Sequence, residues 1–223
     1  MAALGAISPT SGFMCLLRTE VVMYVRTDDV TVGAGRVDEL RDALSNNAPV
    51  MTSQEGCEGL SCAADRATGN CAIVSLWNSK RSLERSEQAI AAIRTAIVEA
   101  VDAELDGIVI AEVLREFKVR PTHVGAQARV VRIAAPAGKV DELVDFYDTE
   151  VVPRLKSQPG FLNSRLIRDL EHHGRFSAVS HWTDANALKS SDSSTAVREQ
   201  ITKTGAAIER ISTAEIILAD LIT

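Results

Sequence analysis

The chain has only two tryptophans, and they stand in matching surroundings: VSLWNSKRSL over Val74–Leu83 and VSHWTDANAL over Val179–Leu188. An indole offers a flat apolar wall and a single N–H donor, which suits an aromatic substrate carrying a phenolate or carbonyl. It equally suits a core residue closing the space between a helix and a sheet. His181 precedes Trp182 and, on a strand, would face the opposite side of the sheet. An imidazole titrating near neutrality is a base for an acidic aromatic. Trp182 and His181 are therefore the candidate catalytic residues. Trp77, Tyr24, Arg132 and Tyr147 are the candidate substrate contacts, with Arg26 and Arg129 as further cations on the first strand of each half; a guanidinium can hold a carboxylate or enolate. Each has a packing alternative. Buried Trp is mostly packing, Arg on a strand is usually a rim residue, His181 would serve as a hydrogen-bonded interface residue, and Tyr147 falls on an apolar helical stripe. Where His181 stands in the second half, the first half has Leu76, so the two halves have diverged there.

Other chemistries find little support. His172 and His173 fall in a hairpin turn with no third ligand, so no metal site is expected. The cysteines, Cys15, Cys57, Cys62 and Cys71, form no CxxC pair; they read as free thiols near a core, in keeping with a reducing cytoplasm. The glycine turns VGAG and APAG lack the spacing of a phosphate loop, and no nucleophile elbow is visible. No cofactor is expected.

The elements that position these residues occur twice. Arg36-Val37-Asp38-Glu39-Leu40 answers Lys139-Val140-Asp141-Glu142-Leu143, SQEGC answers SQPGF, and VSLW answers VSHW, in the same order at nearly constant spacing. In each half a strand (Glu20–Arg26; Arg129–Ala134) leads through a glycine turn into a helix. Val140, Leu143, Tyr147 and Val151 mark one face of that helix in the second half, with Pro153 kinking or shortening it. Two strands joined by a tight turn follow: Cys57–Asp65 with Asn70–Trp77, and Phe161–Asp169 with Arg175–Trp182. A second helix carries Ile90, Ile93, Ile97 and Val101, or Val197, Ile201, Thr204, Ile208 and Ile211. A last strand spans Ile108–Phe117 or Thr213–Leu221. The order βαββαβ, twice, predicts an α+β fold of tandem ferredoxin-like units. Each unit leaves a bare apolar sheet face that the other can cover, since the tether raises its effective concentration to roughly millimolar. The expected layout is an N-terminal extension over 1–18, repeats over 19–117 and 128–223, and a linker over 118–127.

Bulk properties agree. A chain of 223 residues accommodates two units of about 100. At 46% hydrophobic and 24% charged it has a globular composition. A net charge of −6 without a basic stripe argues against nucleic acid. There is no apolar run of membrane-spanning length. Residues 1–18 lack the early positive charge of a secretory signal. The expected partner is a small hydrophobic or aromatic ligand. The repeats are expected to pair within the chain, with room for a homodimer through free edge strands.

A strand, a glycine turn, VDEL, PGF, and a strand ending in VSHW followed by AL together resemble the antibiotic-biosynthesis-monooxygenase family, over most of 19–117 and 128–222. The resemblance implies a dimeric α+β barrel, here built from two fused repeats. Some members oxidise anthrones or quinols with O2 and neither metal nor flavin; another branch binds and opens haem. The anthrone-oxidising pattern implies an Asn four residues before the Trp and a Tyr about six after. Here those places hold Ile73 and Ala178, Leu83 and Leu188. The haem-opening pattern implies a Trp, a His and an Asn where Ser86 and Ser191, Thr95 and Gln200, Asp28 and Val131 stand. The expected activity is a cofactor-independent monooxygenation of a small aromatic of anthrone or quinol type; the rival expectations are a non-catalytic ligand-binding barrel and a haem-binding relative.

Overall fold

The computed structural model describes residues 22–33, 35–191, 201–202 and 204–220. The first repeat runs β1 (Tyr24–Thr31), α1 (Val37–Thr52), β2 (Cys57–Asp65), β3 (Asn70–Trp77), α2 (Lys80–Ala100) and β4 (Glu104–Lys118). The second runs β5 (Gln127–Ala134), a helical stretch from Val140 to Lys156, β6 (Phe161–Asp169), β7 (Arg175–Trp182), α3 (Ala185–Ser190) and β8 (Ala207–Asp220). The two hairpins have the expected bounds. The first strand starts and ends later than expected, with Asp28 and Asp29 inside it; Glu20 and Val21 lie outside the described residues. Ile208 and Ile211 belong to β8 rather than to a helix, and Thr204 lies in the turn before it; Val197 is outside the described residues.

The eight described strands close into one antiparallel barrel in the order β1-β3-β2-β8-β5-β7-β6-β4. Within each repeat the strands keep the ferredoxin-like order. The repeats join where β2 pairs with β8 and β4 with β6. Each described strand thus has two neighbours, and no free edge for further pairing of fused chains is left among the described strands. The closure also exchanges packing. Ile217 and Leu218 of β8 belong to the core around Leu40, Leu44 and Trp77, while Leu114 and Phe117 of β4 pack on the core of the second repeat. Each repeat's helix–sheet core includes side chains from the other's last strand.

The loop before each hairpin shows why SQEGC and SQPGF recur. Gly56 and Gly160 sit at φ +82° and +80°, in the left-handed region open to glycine. A Cβ on Gly56 would stand 2.4 Å from Ser82 Oγ, and one on Gly160 would stand 2.5 Å from Ala187 Cβ. Asn78 and Thr183 donate their backbone N–H groups back to Gly56 O and Gly160 O, at 2.9 and 2.8 Å. The bare glycine lets the following helix start close against the strand end. Those helices are capped: Ser79 Oγ accepts from Ser82 N, and Asp184 Oδ1 accepts from Asn186 N and Ala187 N. Together these contacts fix the turn that follows each Trp.

Pro153, expected to kink or shorten its helix, does not shorten it. A five-residue π turn, Tyr147–Val151, precedes it, with Val152 N–H reaching Tyr147 O, and helix resumes through Lys156. Among the described residues, Cys57, Cys62 and Cys71 are buried free thiols; Cys15 is outside them. No described helix is long and apolar enough to cross a membrane.

Candidate functional site

Both tryptophans are fully buried on the helix-facing side of the barrel, inside identical frames. Trp77 Nε1 donates to Ser75 Oγ at 2.9 Å, and Trp182 Nε1 to Ser180 Oγ at 3.1 Å. A guanidinium lies over each ring, Arg26 at 5.6 Å and Arg129 at 5.7 Å. Each guanidinium also donates to the carbonyl of the leucine six residues after its Trp, Arg26 to Leu83 O at 2.8 Å and Arg129 to Leu188 O at 2.9 Å. A serine three residues on, Ser86 or Ser191, donates to the same carbonyl. The one N–H of each indole is already used, so neither ring is poised to donate to a ligand; what each does is hold an arginine. Phe161 of the PGF turn meets Trp182 edge-on at 5.6 Å.

Beneath the frames the repeats part company. In the first, Asp28 on β1 binds Arg94 of α2 at 2.9 Å, and Glu87 bridges Arg94 (3.2 Å) and Arg26 (2.7 Å). Burial raises the Asp28 carboxyl above its usual range, and Arg94 pulls it back. Around this network Leu44, Leu60 and Ile73 fill the layer between helices and sheet. In the second repeat the strand register places Val131 opposite Ala178 where the first has Asp28 opposite Ile73. Likewise Ser164 takes the place of Leu60, and the VDEL alignment sets Tyr147 against Leu44.

The outcome is a cavity of about 110 Å³ between the helices and sheet of the second repeat, lined chiefly by Arg129, Val131, Tyr147, Ser164, Leu166 and Ala178. Its wall is mostly apolar. Its polar members are Arg129, Arg154, Gln158, Ser180, Tyr147 and Ser164; of these the Tyr147 hydroxyl and Ser164 Oγ are buried close to one another, and neither reaches a well-formed hydrogen bond. Burial pushes the Tyr147 hydroxyl up to about 12, so it stays protonated at neutral pH and can only donate or accept a hydrogen bond. The π turn that begins at Tyr147 borders the cavity. Two buried hydroxyls that pair poorly with each other cost up to about 1–3 kcal/mol each, a cost that a polar ligand atom would relieve.

The remaining sequence candidates lie elsewhere. His181 points away from this cavity, as alternation on the strand requires, and lines a second cavity at the barrel end. It is 8% exposed, and burial together with Arg165 lowers it to about 4, so its imidazole is neutral at neutral pH. Tyr24 packs on the core of the first repeat. Arg132 is half-exposed and pairs with Asp29 at 3.5 Å. Of the six candidates only Tyr147 borders the apolar cavity, with Trp182 one shell behind, supporting Arg129. Sequence reasoning missed Ser164 and Ala178. The signal was present: aligning the repeats position by position shows Leu60 against Ser164 and Ile73 against Ala178.

Known proteins place this arrangement. Residues 126–203 match the family model described as antibiotic biosynthesis monooxygenase. The uncharacterized protein Rv2558 of Mycobacterium tuberculosis is 28% identical over 154 residues, 66% of this chain and 63% of that protein, and the uncharacterized protein Rv2557 of the same organism is 23% identical over 158 residues. The chain thus covers less than two thirds of the length of these relatives. Among solved structures, a candidate monooxygenase of Fusobacterium nucleatum has a TM-score of 0.69 at 16% identity, covering 91% of this chain and 95% of that one. An anthrone oxidase-like protein has a TM-score of 0.61 at 12% identity, covering 92% and 93%. The antibiotic biosynthesis monooxygenase domain thus matches the second repeat, and the barrel that the two repeats build together has the fold of these solved structures.

Proposed function

We propose that the second repeat binds a small electron-rich aromatic and oxidises it with O2, while the first repeat is its structural partner. The observation that carries this is the apolar cavity of about 110 Å³ with two poorly paired buried hydroxyls in its wall. Its size selects the substrate class. An apolar cavity of about 150 Å³ takes up benzene, so one ring is the upper limit here and three fused rings exceed it. The ring meets Val131, Leu166 and Ala178; its oxygen meets Tyr147, Ser164 and the Arg129 cation held by Trp182. Those donors and that charge favour the phenolate over the phenol. A phenolate gives electrons directly to O2. One oxygen atom enters the ring carbon para to the phenol and the other leaves as water, so phenol plus O2 gives quinone plus water with no external reductant. Likeness to an anthrone oxidase-like fold supports the reaction type. His181, on the other face, takes no part. The rival reading, binding without turnover, is favoured by Ala178 and Leu188, which stand where the anthrone-oxidising pattern has Asn and Tyr.

Oxygen uptake with single-ring phenols and hydroquinones, beside an anthrone control, tests the reading. Uptake is expected with single rings and lost in Ala178→Ile, which places the first repeat's residue in the cavity. Thermal stabilisation by the same compounds without oxygen uptake would leave only the binding reading. If Ala178→Ile matches the wild type in both assays, the cavity is not the site.

A further inference from the structure

At one end of the barrel lies a second cavity, about 260 Å³, that the proposed oxidation does not use. It forms where β4, the linker, β6, β7 and β2 converge. Val119 and Arg120 both donate their backbone N–H groups to Leu162 O, at 2.9 and 3.0 Å, which lays the linker along β6. Asn163 sits beneath it. Its amide Nδ2 donates to Thr122 Oγ1 at 2.9 Å and to Arg120 O at 3.3 Å. That fixes Asn163 Oδ1 as the acceptor facing His181 Nδ1 at 2.7 Å. The imidazole therefore carries its proton on Nδ1 and presents Nε2 as a bare lone pair. No described protein group bonds Nε2, in a ring more than nine-tenths buried.

The charge around that acceptor is positive, in a chain whose net charge is −6. Arg165, Lys118 and Arg120 line the cavity. Glu116 answers the first two, at 2.6 and 3.2 Å; no ion pair among the described residues engages Arg120. None of this occurs at the matching place in the first repeat, where the same register holds Leu76 for His181, Gly59 for Asn163 and Ser61 for Arg165.

We propose that this barrel end is a binding site for a small oxyanion that carries its own O–H donor, a hydroxycarboxylate or a hydrogen phosphate. The cations draw the charged oxygens, and the fixed Nε2 accepts the hydroxyl proton as a hydrogen bond. An anion without a donor makes no hydrogen bond to that lone pair, which is the basis for selectivity. The site is separate from the apolar cavity, since His181 and Ser180 project to opposite faces of β7.

Calorimetric titration of the full chain with two charge-matched pairs tests this: glycolate against acetate, and phosphate against sulfate. The hydroxyl-bearing member of a pair is expected to bind about tenfold more tightly, the worth of one hydrogen bond. Selectivity in one pair alone supports the site and names its anion class. His181→Leu, the first repeat's residue, is expected to abolish the selectivity, and Arg120→Gln, at the exposed rim, to weaken both members of each pair alike. Arg120→Gln decides the matter should His181→Leu fail to fold. Absence of binding up to about ten millimolar, equal affinity within both pairs, or an Arg120→Gln variant that binds like the wild type would overturn the proposal.

Discussion

The two repeats hold the same Arg–Ser–Trp frame and put different things beneath it. In the first, Asp28, Arg94, Leu44, Leu60 and Ile73 make a filled layer crossed by an ion network. In the second, Val131, Tyr147, Ser164 and Ala178 leave a cavity with two poorly paired hydroxyls. The shared part is therefore architectural. An indole that holds an arginine, which in turn ties the strand to the helix start, is useful to both halves. Function must sit in what differs, and the differences cluster in one layer of one repeat. Duplication offers a route to this state: one copy maintains the barrel while the other gives up packing for a binding site.

The largest effect is expected from moving the second repeat's residue into the first. Asp28→Val leaves the Arg94 guanidinium buried with only the half-exposed Glu87 for company. Removing one partner of a buried pair costs about 3–5 kcal/mol, measurable as a lower denaturant midpoint. Asp28→Val with Arg94→Leu should regain most of the loss. The network already leaves Asp28 Oδ1, Arg94 Nη2 and Arg26 Nε without partners, and apolar replacements of whole buried pairs are often neutral or better. A double variant as unstable as the single would show that the network supports more than itself.

His181 against Leu76 gives the next effect, read through pH. The folded His181 titrates at about 4, below its ordinary 6.5. The unfolded chain therefore takes up a proton in that window while the folded one does not. The contribution is fully present above pH 6.5 and is lost as pH falls toward 4, amounting to about 3 kcal/mol at the acid end. His181→Leu is less stable at neutral pH, because Asn163 Oδ1 loses its donor. Its stability should nonetheless fall less between pH 7 and 4 than the wild type's. Parallel pH profiles would remove the buried neutral imidazole from the account.

A smaller change sharpens the cavity itself. Ala178→Ile and Ser164→Leu rebuild the first repeat's layer in the second. Each should alter stability by less than about 1.5 kcal/mol, since each fills space rather than displacing packed atoms. Either is expected to abolish thermal stabilisation by single-ring phenols. A loss of several kcal/mol would mean that the space is smaller than its outline.

Much of this molecule was legible in its sequence, and the gaps have physical causes. The hairpins, the repeat and the burial of both tryptophans follow from local alternation and turn chemistry, which a strand carries in its own residues. Ile208 and Ile211 fall three apart, a spacing equally at home on a helix or on a bulged strand; β8 is a strand because β2 and β5 pair with it, a long-range fact. Barrel closure through β4 and β6 is invisible for the same reason. The first strand was misplaced because Asp28 and Asp29 read as a loop, and only Arg94 and Arg132, distant in sequence, make them tolerable there. The cavity was hidden in residues that are unremarkable one by one. It emerges when Ser164, Ala178 and Tyr147 are set beside Leu60, Ile73 and Leu44.

The smallest expected effect is the most discriminating. Tyr147→Phe removes a buried hydroxyl that has only a poorly formed contact with Ser164. A hydroxyl that exists only to fill space costs stability, so its removal should leave the protein unchanged or up to about 1 kcal/mol more stable. That inverts the usual outcome of altering a buried tyrosine. If the hydroxyl serves a ligand oxygen, the same variant should bind single-ring phenols about tenfold more weakly while still binding the ring. Stability gained and affinity lost together mark a residue held for binding. A clear loss of stability in Tyr147→Phe would mean that the hydroxyl has a structural partner, and the second repeat would then be as fully packed as the first.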